Sequence, residues 1–318
     1  MSVRSFKLKI NLKQKYKPVF YTYLILSIIF TIFLVFFPIF RSGKNISNLL
    51  VQIAPLAIVA IGQAIVIIGG GVDLSVGAVI SATSVIAANF MGVSVLATLI
   101  TLICIFAFAA FIGYINGLIC NETHIPPLIA TLSTASIIQG LILLYRETPG
   151  GSIPKFFSNF ILFRFGVIST PIIMVVVLNI FFIYMMSRSS HGLYTYSIGG
   201  NEAYAHMVGI NIKKVRIGNY IISAILSSMA GLILTCRIGS GSSLLGAPFV
   251  LDSITAVIIG GITFAGGLGF VSGALAGACI IAMLSNALNI SGVSPFYQYI
   301  VKGALLLIAM MVSSKRKL

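Results

Sequence analysis

Long apolar runs alternate along the chain with short polar connections, and this pattern predicts a membrane protein. Spanning a bilayer takes about 20 consecutive apolar residues, and at that length the sequence predicts about ten transmembrane helices. The predicted spans cover residues 19–40, 49–68, 74–91, 94–119, 125–145, 167–187, 215–236, 251–266, 269–290 and 295–312. The fold class that follows is an all-α polytopic membrane protein.

Two connections between the predicted spans are long. Residues 146–166 form one of them, with a stretch rich in glycine and proline at 148–154, and residues 188–214 form the other. Neither has room for a soluble domain. The predicted organisation is a basic N-terminal segment at 1–18, a single transmembrane domain at 19–312 and a basic tail at 313–318.

The first apolar run follows basic residues, as the core of a signal peptide would. It is too long for such a core, and no cleavage site of small residues follows it. We therefore expect this run to stay in the protein as its first transmembrane helix.

Composition supports the membrane assignment and argues against nucleic-acid binding. Hydrophobic residues make up 58% of the chain and charged residues 8%, and the mean hydropathy is +1.11. The net charge of +15 comes from clusters that flank the apolar spans, without the basic stripe and interleaved aromatic residues of a nucleic-acid site. The clusters comprise Arg4, Lys7, Lys9, Lys13, Lys15, Lys17, Lys213, Lys214, Arg216, Lys315, Arg316 and Lys317.

The positions of the basic residues also predict the orientation of the chain. With the N-terminus inside, an even number of spans places thirteen basic residues on the inner side and six on the outer side. This is the bias that the positive-inside rule describes. Both termini and the connection at 188–214 are therefore predicted to be cytoplasmic, and the connection at 146–166 is predicted to lie outside.

The sequence contains no motif for catalysis, cofactor binding or metal binding. A P-loop ends in Gly-Lys-Ser/Thr, whereas the only Gly-Lys pair of this chain, Gly43-Lys44, is followed by Asn45. The four cysteines and three histidines lack the spacing of metal ligands or of a disulfide framework. The sequence predicts a non-catalytic protein without cofactor, so any ATP hydrolysis that drives it requires a separate polypeptide.

Acidic residues are scarce, and two of them allow more than one interpretation. Asp73 and Asp252 lie at the starts of predicted spans, where each carboxylate would cap the following helix. Because three glycines precede it, Asp73 is also a candidate for the wall of a transport pathway. The scarcity of charges within the spans disfavours a secondary carrier, and the lack of a filter motif disfavours a channel.

The connection at 188–214 contains a predicted short helix. Asn201 has the side chain of a helix N-cap, and Gly209 suits a helix end. A short helix on the surface of a membrane domain suits docking into a groove of a partner protein. An ordinary amphipathic linker is the alternative.

Three segments carry sequences that match a known family, at residues 69–77, 125–132 and 199–203. They read Gly-Gly-Gly-Val-Asp-Leu-Ser-Val-Gly, Ile-Pro-Pro-Leu-Ile-Ala-Thr-Leu and Gly-Gly-Asn-Glu-Ala. They are similar to the signatures Gly-Gly-Ile-Asp-Leu-Ser-Val-Gly, Ile-Pro-Pro-Phe-Ile-Ala-Thr-Leu and Gly-Gly-Asn-Glu-Ala of ribose-type sugar permeases. The chain therefore resembles these permease subunits of bacterial ATP-binding-cassette (ABC) importers.

Segments 265–267, 289–293 and 297–303 also fit this family. The chain departs from the pattern at three positions. Ser133 replaces a usual glycine, Val250 replaces an acid, and Leu268 replaces a frequent lysine. These departures bear on the substrate rather than on the family.

The resemblance implies a permease subunit that forms the pathway for a monosaccharide such as ribose in the bacterial inner membrane. It implies three protein partners: a second permease subunit (identical or paralogous), a separate ABC ATPase, and a periplasmic or lipid-anchored sugar-binding protein. Membrane lipids would surround the chain. Permeases for autoinducer-2, inositol, xylose and galactose share the signatures, so each of these compounds is an alternative substrate.

The resemblance also implies that the predicted short helix couples the chain to the ATPase. We expect Glu202 to pair with a basic residue of the ATPase, and the small side chains of Ala203 and Ala205 to allow close approach. The predicted coupling residues are Gly200, Asn201, Glu202, Ala203, Tyr204, Ala205, Met207, Val208 and Gly209.

Glycine-rich breaks between spans are candidate walls of the translocation pathway, because irregular backbone at membrane depth needs protein or water around it. Hydroxyl and amide groups beside these glycines would bind a sugar weakly. Alternatively, the glycines form plain turns and the hydroxyls bond the backbone of their own helices. The predicted pathway residues are Gly70, Gly71, Asp73, Ser75, Ser81, Thr131, Ser133, Gly260, Gly261, Thr263 and Asn286.

Overall fold

The computed structural model describes residues 12–123 and 125–314 of the chain. Some of the residues named above lie outside the described residues. They are Arg4, Lys7, Lys9, Lys315, Arg316 and Lys317.

Helices dominate the described residues, as the sequence predicts, and one short hairpin interrupts them. The helices are α1 (Leu12–Phe36), α2 (Gly43–Ile68), α3 (Val76–Phe90), α4 (Val95–Glu122), α5 (Pro127–Tyr145), α6 (Lys155–Ile161), α7 (Thr170–Arg188), α8 (Ser190–Gly200), α9 (Glu202–Met207), α10 (Ile212–Ile238), α11 (Ala247–Ile259), α12 (Val271–Ile290) and α13 (Pro295–Ser314). Between α6 and α7, β1 (Arg164–Phe165) pairs antiparallel with β2 (Ile168–Ser169). The predicted all-α fold class is confirmed.

Each predicted span coincides with one helix. Seven of these helices are long and apolar enough to cross a membrane, namely α1, α2, α4, α5, α7, α10 and α12. The other three, α3, α11 and the described apolar part of α13, are shorter apolar helices. Two of the short helices adjoin the glycine-rich breaks, since α3 follows one break and α11 precedes the other.

Several helix boundaries differ from the predicted spans. Helix α1 already begins at Leu12, within the predicted basic segment at 1–18. Helix α2 begins at Gly43 because the Ser42 side chain accepts a hydrogen bond from the Asn45 N–H and caps the helix. Helix α11 runs from Ala247 to Ile259 and stops at the glycines that follow, so its predicted bounds were shifted toward the C-terminus.

The core of the molecule forms around α2. Nearly all of the apolar stretch of α2 (94%) is buried within the chain, against 6% for α1. Helix α2 packs against α10 and α12, which are also mostly buried. A helix that is apolar on every side belongs in the interior of a bundle, whereas the apolar outer helices have their apolar surface covered by lipid.

The connections between helices gather at two opposite ends of the bundle. At the end that carries α6, Gly150 and Gly241 pair through their backbones, and the Ser152 N–H donates to the Ala88 carbonyl. At the end that carries α9, Lys213 pairs with Glu122. We call these the α6 end and the α9 end. Their separation fits the even number of spans, and the side that each end faces stays a prediction.

Asp252 does not cap a helix, contrary to the expectation from sequence. It lies inside α11, and its carboxylate accepts a hydrogen bond from the Lys302 ammonium of α13 at 2.7 Å. Both side chains are largely buried. The structure thus neutralises two charges within apolar helices by pairing them, which is how intramembrane charges are usually accommodated.

Candidate functional site

Two interrupted helical regions meet at the α9 end of the bundle. The first break, residues 69–75, separates α2 from α3, and the second break, residues 260–270, separates α11 from α12. A backbone hydrogen bond joins them, from the Gly267 N–H to the Ile68 carbonyl at 2.8 Å. This contact links two segments that are distant in the sequence.

The C-terminal end of α8 lies against both breaks, and glycine makes the contact possible. A Cβ atom on Gly199 would overlap the Ile68 carbonyl and stand 2.7 Å from the Gly267 nitrogen. Gly267 has a φ of +71°, and a Cβ there would lie 2.6 Å from the Cα of Gly200. Side chains at these positions would separate the three backbones. We call residues 68–70, 199–200 and 266–267 the glycine junction.

Polar side chains fix α8 in place over the junction. The Asn219 side chain of α10 lies within hydrogen-bond distance of His191 Nε2 (2.8 Å) and accepts from Thr195 Oγ1 (3.1 Å). The Tyr196 hydroxyl donates to the Gly269 carbonyl in the second break at 2.8 Å. Sequence reasoning missed this helix and treated it as loop, and its only local signal is Ser189, whose side chain caps it.

Helix α9 continues directly from α8. The Asn201 side chain caps it by accepting from the Tyr204 N–H at 3.0 Å, and Gly209 follows its end with a φ of +81°. The predicted short helix, with its predicted cap and stop residues, is confirmed. Tyr204, Met207 and Val208 are 60%, 75% and 55% exposed, and the residues that the structure describes leave this apolar face of α9 uncovered.

Two predicted coupling residues have partners inside the chain instead. Ala205 is fully buried and packs with Ile198 and Val215, so its side chain is covered by its own chain. Glu202 accepts a hydrogen bond from Arg216 of α10 at 2.6 Å. Arg216 also donates to the Cys120 carbonyl at the end of α4, and so ties α9 to the bundle. The remaining predicted coupling residues, among them Ala203, are exposed.

The first break is held by a buried network around Asp73. One carboxylate oxygen accepts from the Ser75 N–H and hydroxyl at 2.9 and 2.6 Å, and the other accepts from the Ser223 hydroxyl of α10 at 2.8 Å. Asn116 of α4 donates to the Ser75 hydroxyl. Asp73 therefore braces the turn before α3 from a fully buried position, and no side-chain bond from the N-cap residue stabilises that helix.

The other predicted pathway residues divide into three groups. Gly70 and Gly71 lie in the first break, and Thr131 of α5 contacts it, since its hydroxyl accepts from the Leu74 N–H. Gly260, Gly261 and Thr263 belong to the second break. The rest lie apart from both breaks: buried Ser81 accepts from the Gly246 N–H, exposed Ser133 bonds its own helix, and Asn286 pairs with Asn45.

These contacts favour the alternative in which hydroxyls bond the protein's own backbone, and the pathway assignment stays a prediction. In the described part of the chain, no cluster of three or more His, Cys, Asp or Glu could hold a metal ion. The site is a junction between α8, α9 and the two breaks.

Comparison with known proteins gives a consistent result. The model of the family described as "Branched-chain amino acid transport system / permease component" matches residues 45–310. The ribose import permease protein of Escherichia coli strain K12 is 36% identical over 287 residues, which cover 88% of either chain. Its Bacillus subtilis strain 168 counterpart is 37% identical, over 88% of this chain and 87% of that protein.

A galactose/methyl galactoside import permease protein of Haemophilus influenzae is 32% identical, over 92% of this chain and 93% of that protein. No solved structure matches the chain.

Proposed function

Because the chain belongs to the branched-chain amino acid transport system / permease component family, we propose that it is the membrane-spanning permease subunit of an ABC importer for a monosaccharide of the ribose type. The observation that carries the proposal is the similarity to ribose import permeases along nearly the whole chain. The resemblance of residues 69–77, 125–132 and 199–203 to sugar-permease signatures supports it.

Galactose is the second candidate substrate. A galactose/methyl galactoside import permease is 32% identical over a slightly longer stretch. Deletion of the gene from its own host, followed by uptake of radiolabelled ribose and galactose, separates the candidates. We expect ribose uptake to be lost and to return with the plasmid-borne gene. Unchanged ribose uptake with lost galactose uptake would shift the assignment to galactose.

The α9 end is the proposed docking face for a separate ATPase on the cytoplasmic side. The apolar face of α9, formed by Ala203, Tyr204, Met207 and Val208, supports this assignment because apolar helix faces fit grooves of partner proteins. The excess of basic residues predicted on this side agrees with the positive-inside rule. The sugar-binding protein would then approach from the α6 end, and a second permease subunit would complete the pathway.

The proposed mechanism runs from α9 through the glycine junction. When the ATPase closes around ATP, it displaces α9. Helix α8 moves with α9 because Asn201 alone separates the two helices. The backbone contacts at Gly199 and Gly267 then transfer the displacement to both breaks. Segments without regular helical hydrogen bonds change conformation at lower cost than an intact helix, so the breaks are suited to open and close a pathway.

The partner assignment has its own test. The affinity-tagged chain is purified from membranes of its own host, and co-purifying proteins are identified by mass spectrometry. We expect an ABC ATPase in the complex and vanadate-sensitive ATP hydrolysis. A chain that imports sugar without an ATPase, and whose uptake follows the proton or sodium gradient, would instead be a secondary carrier.

A further inference from the structure

The connection between α5 and α7 carries a group of exposed aromatic side chains. Phe156 and Phe160 in α6, and Phe163 and Phe165 at the hairpin, are between 42% and 71% exposed. An exposed apolar surface of this kind marks an interaction site rather than ordinary solvent-facing structure. The residues that surround these four phenylalanines indicate what covers this surface.

Helix α6 divides into three sectors around its axis. At about 100° per residue, Phe157 and Ile161 share one side, and both are buried against the bundle. Phe156 and Phe160 form the adjoining sector, which is apolar and exposed. Lys155, Ser158 and Asn159 complete the circle with polar groups.

This order of sectors, protein then apolar then polar, is the pattern of a helix that lies at the corner between a protein, the acyl chains and water. The Ser158 hydroxyl donates to the Cys236 carbonyl near the end of α10, and this bond fixes the rotation of the helix.

The hairpin presents its aromatic residues in the same way. Arg164 donates to Ser47 and Asn48 at the start of α2, at 3.1 and 3.2 Å. Because successive residues of an extended strand point to opposite sides, Phe163 and Phe165 turn away from the bundle. Their rings touch edge to face, with centroids 4.7 Å apart.

The chain runs from the hairpin directly into a transmembrane helix that also exposes apolar residues. Strand β2 leads directly into α7, whose exposed residues include Ile173, Val176, Val177 and Ile180. We propose that α6 and the β1–β2 hairpin form a collar in the headgroup region of the bilayer, with Phe156, Phe160, Phe163 and Phe165 inserted among the acyl chains of the adjoining leaflet. The occupant of this surface is lipid.

The absence of tryptophan from the chain allows a direct test. The variant Phe160→Trp contains a single tryptophan in the apolar sector of α6, and Asn159→Trp places it on the polar sector of the same turn. The full-length variants are reconstituted into nanodiscs with lipids brominated either near the headgroup end of the acyl chain or near its terminal methyl. Iodide serves as the aqueous quencher.

For Phe160→Trp we expect blue-shifted emission, loss of most of the fluorescence with lipids brominated near the headgroup end, and little quenching by iodide. The control Asn159→Trp should show the reverse. Phe165→Trp tests the hairpin independently and should follow Phe160→Trp. The proposal is overturned if Phe160→Trp and Phe165→Trp are quenched by iodide as strongly as the control, which would indicate an aqueous docking surface. It is equally overturned if neither quencher reaches them, which would indicate cover by a second protein chain.

Discussion

The two breaks at the α9 end differ in what holds them. The first break is fixed by buried side chains, since Asp73 accepts bonds from Ser75 and Ser223, and Thr131 bonds its backbone. The second break is held by the bond from the Gly267 N–H to Ile68, by the Tyr196 hydroxyl of α8 on the Gly269 carbonyl, and by Thr263, whose hydroxyl bonds within the break. Its residues Ala265 and Leu268 are exposed. We therefore expect the first break to act as a rigid base and the second break to move relative to it.

From this difference we expect the first break to stabilise the site and the second break to move. Buried polar networks whose groups are paired rigidify their surroundings, whereas segments with few buried side-chain contacts open at low free-energy cost. Motion that enters through α8 would therefore displace the second break relative to the first. Each prediction below tests that assignment, beginning with the largest expected effect.

The largest effect on uptake is expected from Gly199→Ala, which breaks the contact between α8 and both breaks. Its Cβ would overlap the Ile68 carbonyl, and overpacking of this kind costs about 1–3 kcal/mol. We expect the variant to insert and to bind the ATPase but to lose uptake, measured with labelled substrate in the host that lacks the native gene. Gly200→Ala is the matched control, since nothing lies within 4 Å of a Cβ there. Equal uptake by both variants would contradict a role for the junction in coupling.

The next prediction concerns stability rather than uptake. Lys302→Met removes the charged partner of Asp252 in α11, the helix that leads into the second break. Loss of one partner of a buried ion pair costs about 3–5 kcal/mol in proteins, so thermal unfolding in detergent should occur at clearly lower temperature. The double variant Asp252→Leu with Lys302→Met should recover most of that loss. A double variant as unstable as Lys302→Met would show that the lysine contributes by packing rather than by pairing.

A smaller, local effect is expected in thiol accessibility. Leu268→Cys in the second break and Val72→Cys in the first are made in a Cys104→Ser background, because Cys104 is exposed. Trapping the ATPase with ATP and vanadate should change the rate at which a polar maleimide labels Leu268→Cys. Val72→Cys, at a position that is 5% exposed, should stay unreactive in both states. Labelling of Val72→Cys that rises on trapping would show that the first break also opens.

The transmembrane helices were predictable because a bilayer demands a minimum apolar length, and α9 was predictable because Asn201 and Gly209 are local cap and stop signals. The junction was not predictable, because it depends on backbone contacts between residues as distant as Ile68 and Gly267. The burial of Ala205 escaped prediction for the same reason, since Ile198 and Val215 cover it. The sequence predicts Asp252 at the start of a helix because the apolar span begins at residue 251, whereas α11 begins at Ala247.

The smallest effect is expected from Glu202→Gln, and it separates the two roles of α9. Glu202 is about half exposed and pairs with Arg216 of its own chain, so the pair should contribute only about 0–1 kcal/mol. Arg216 keeps its second bond, to the Cys120 carbonyl, and α9 keeps its cap at Asn201. Uptake and ATPase binding should therefore stay near the wild-type level, whereas Met207→Asp, which places a charge on the apolar face of α9, should weaken ATPase binding in co-purification. If Glu202→Gln reduced ATPase binding as much as Met207→Asp, the carboxylate would contact the ATPase directly, and the contact surface of α9 would extend from its apolar face to its first turn.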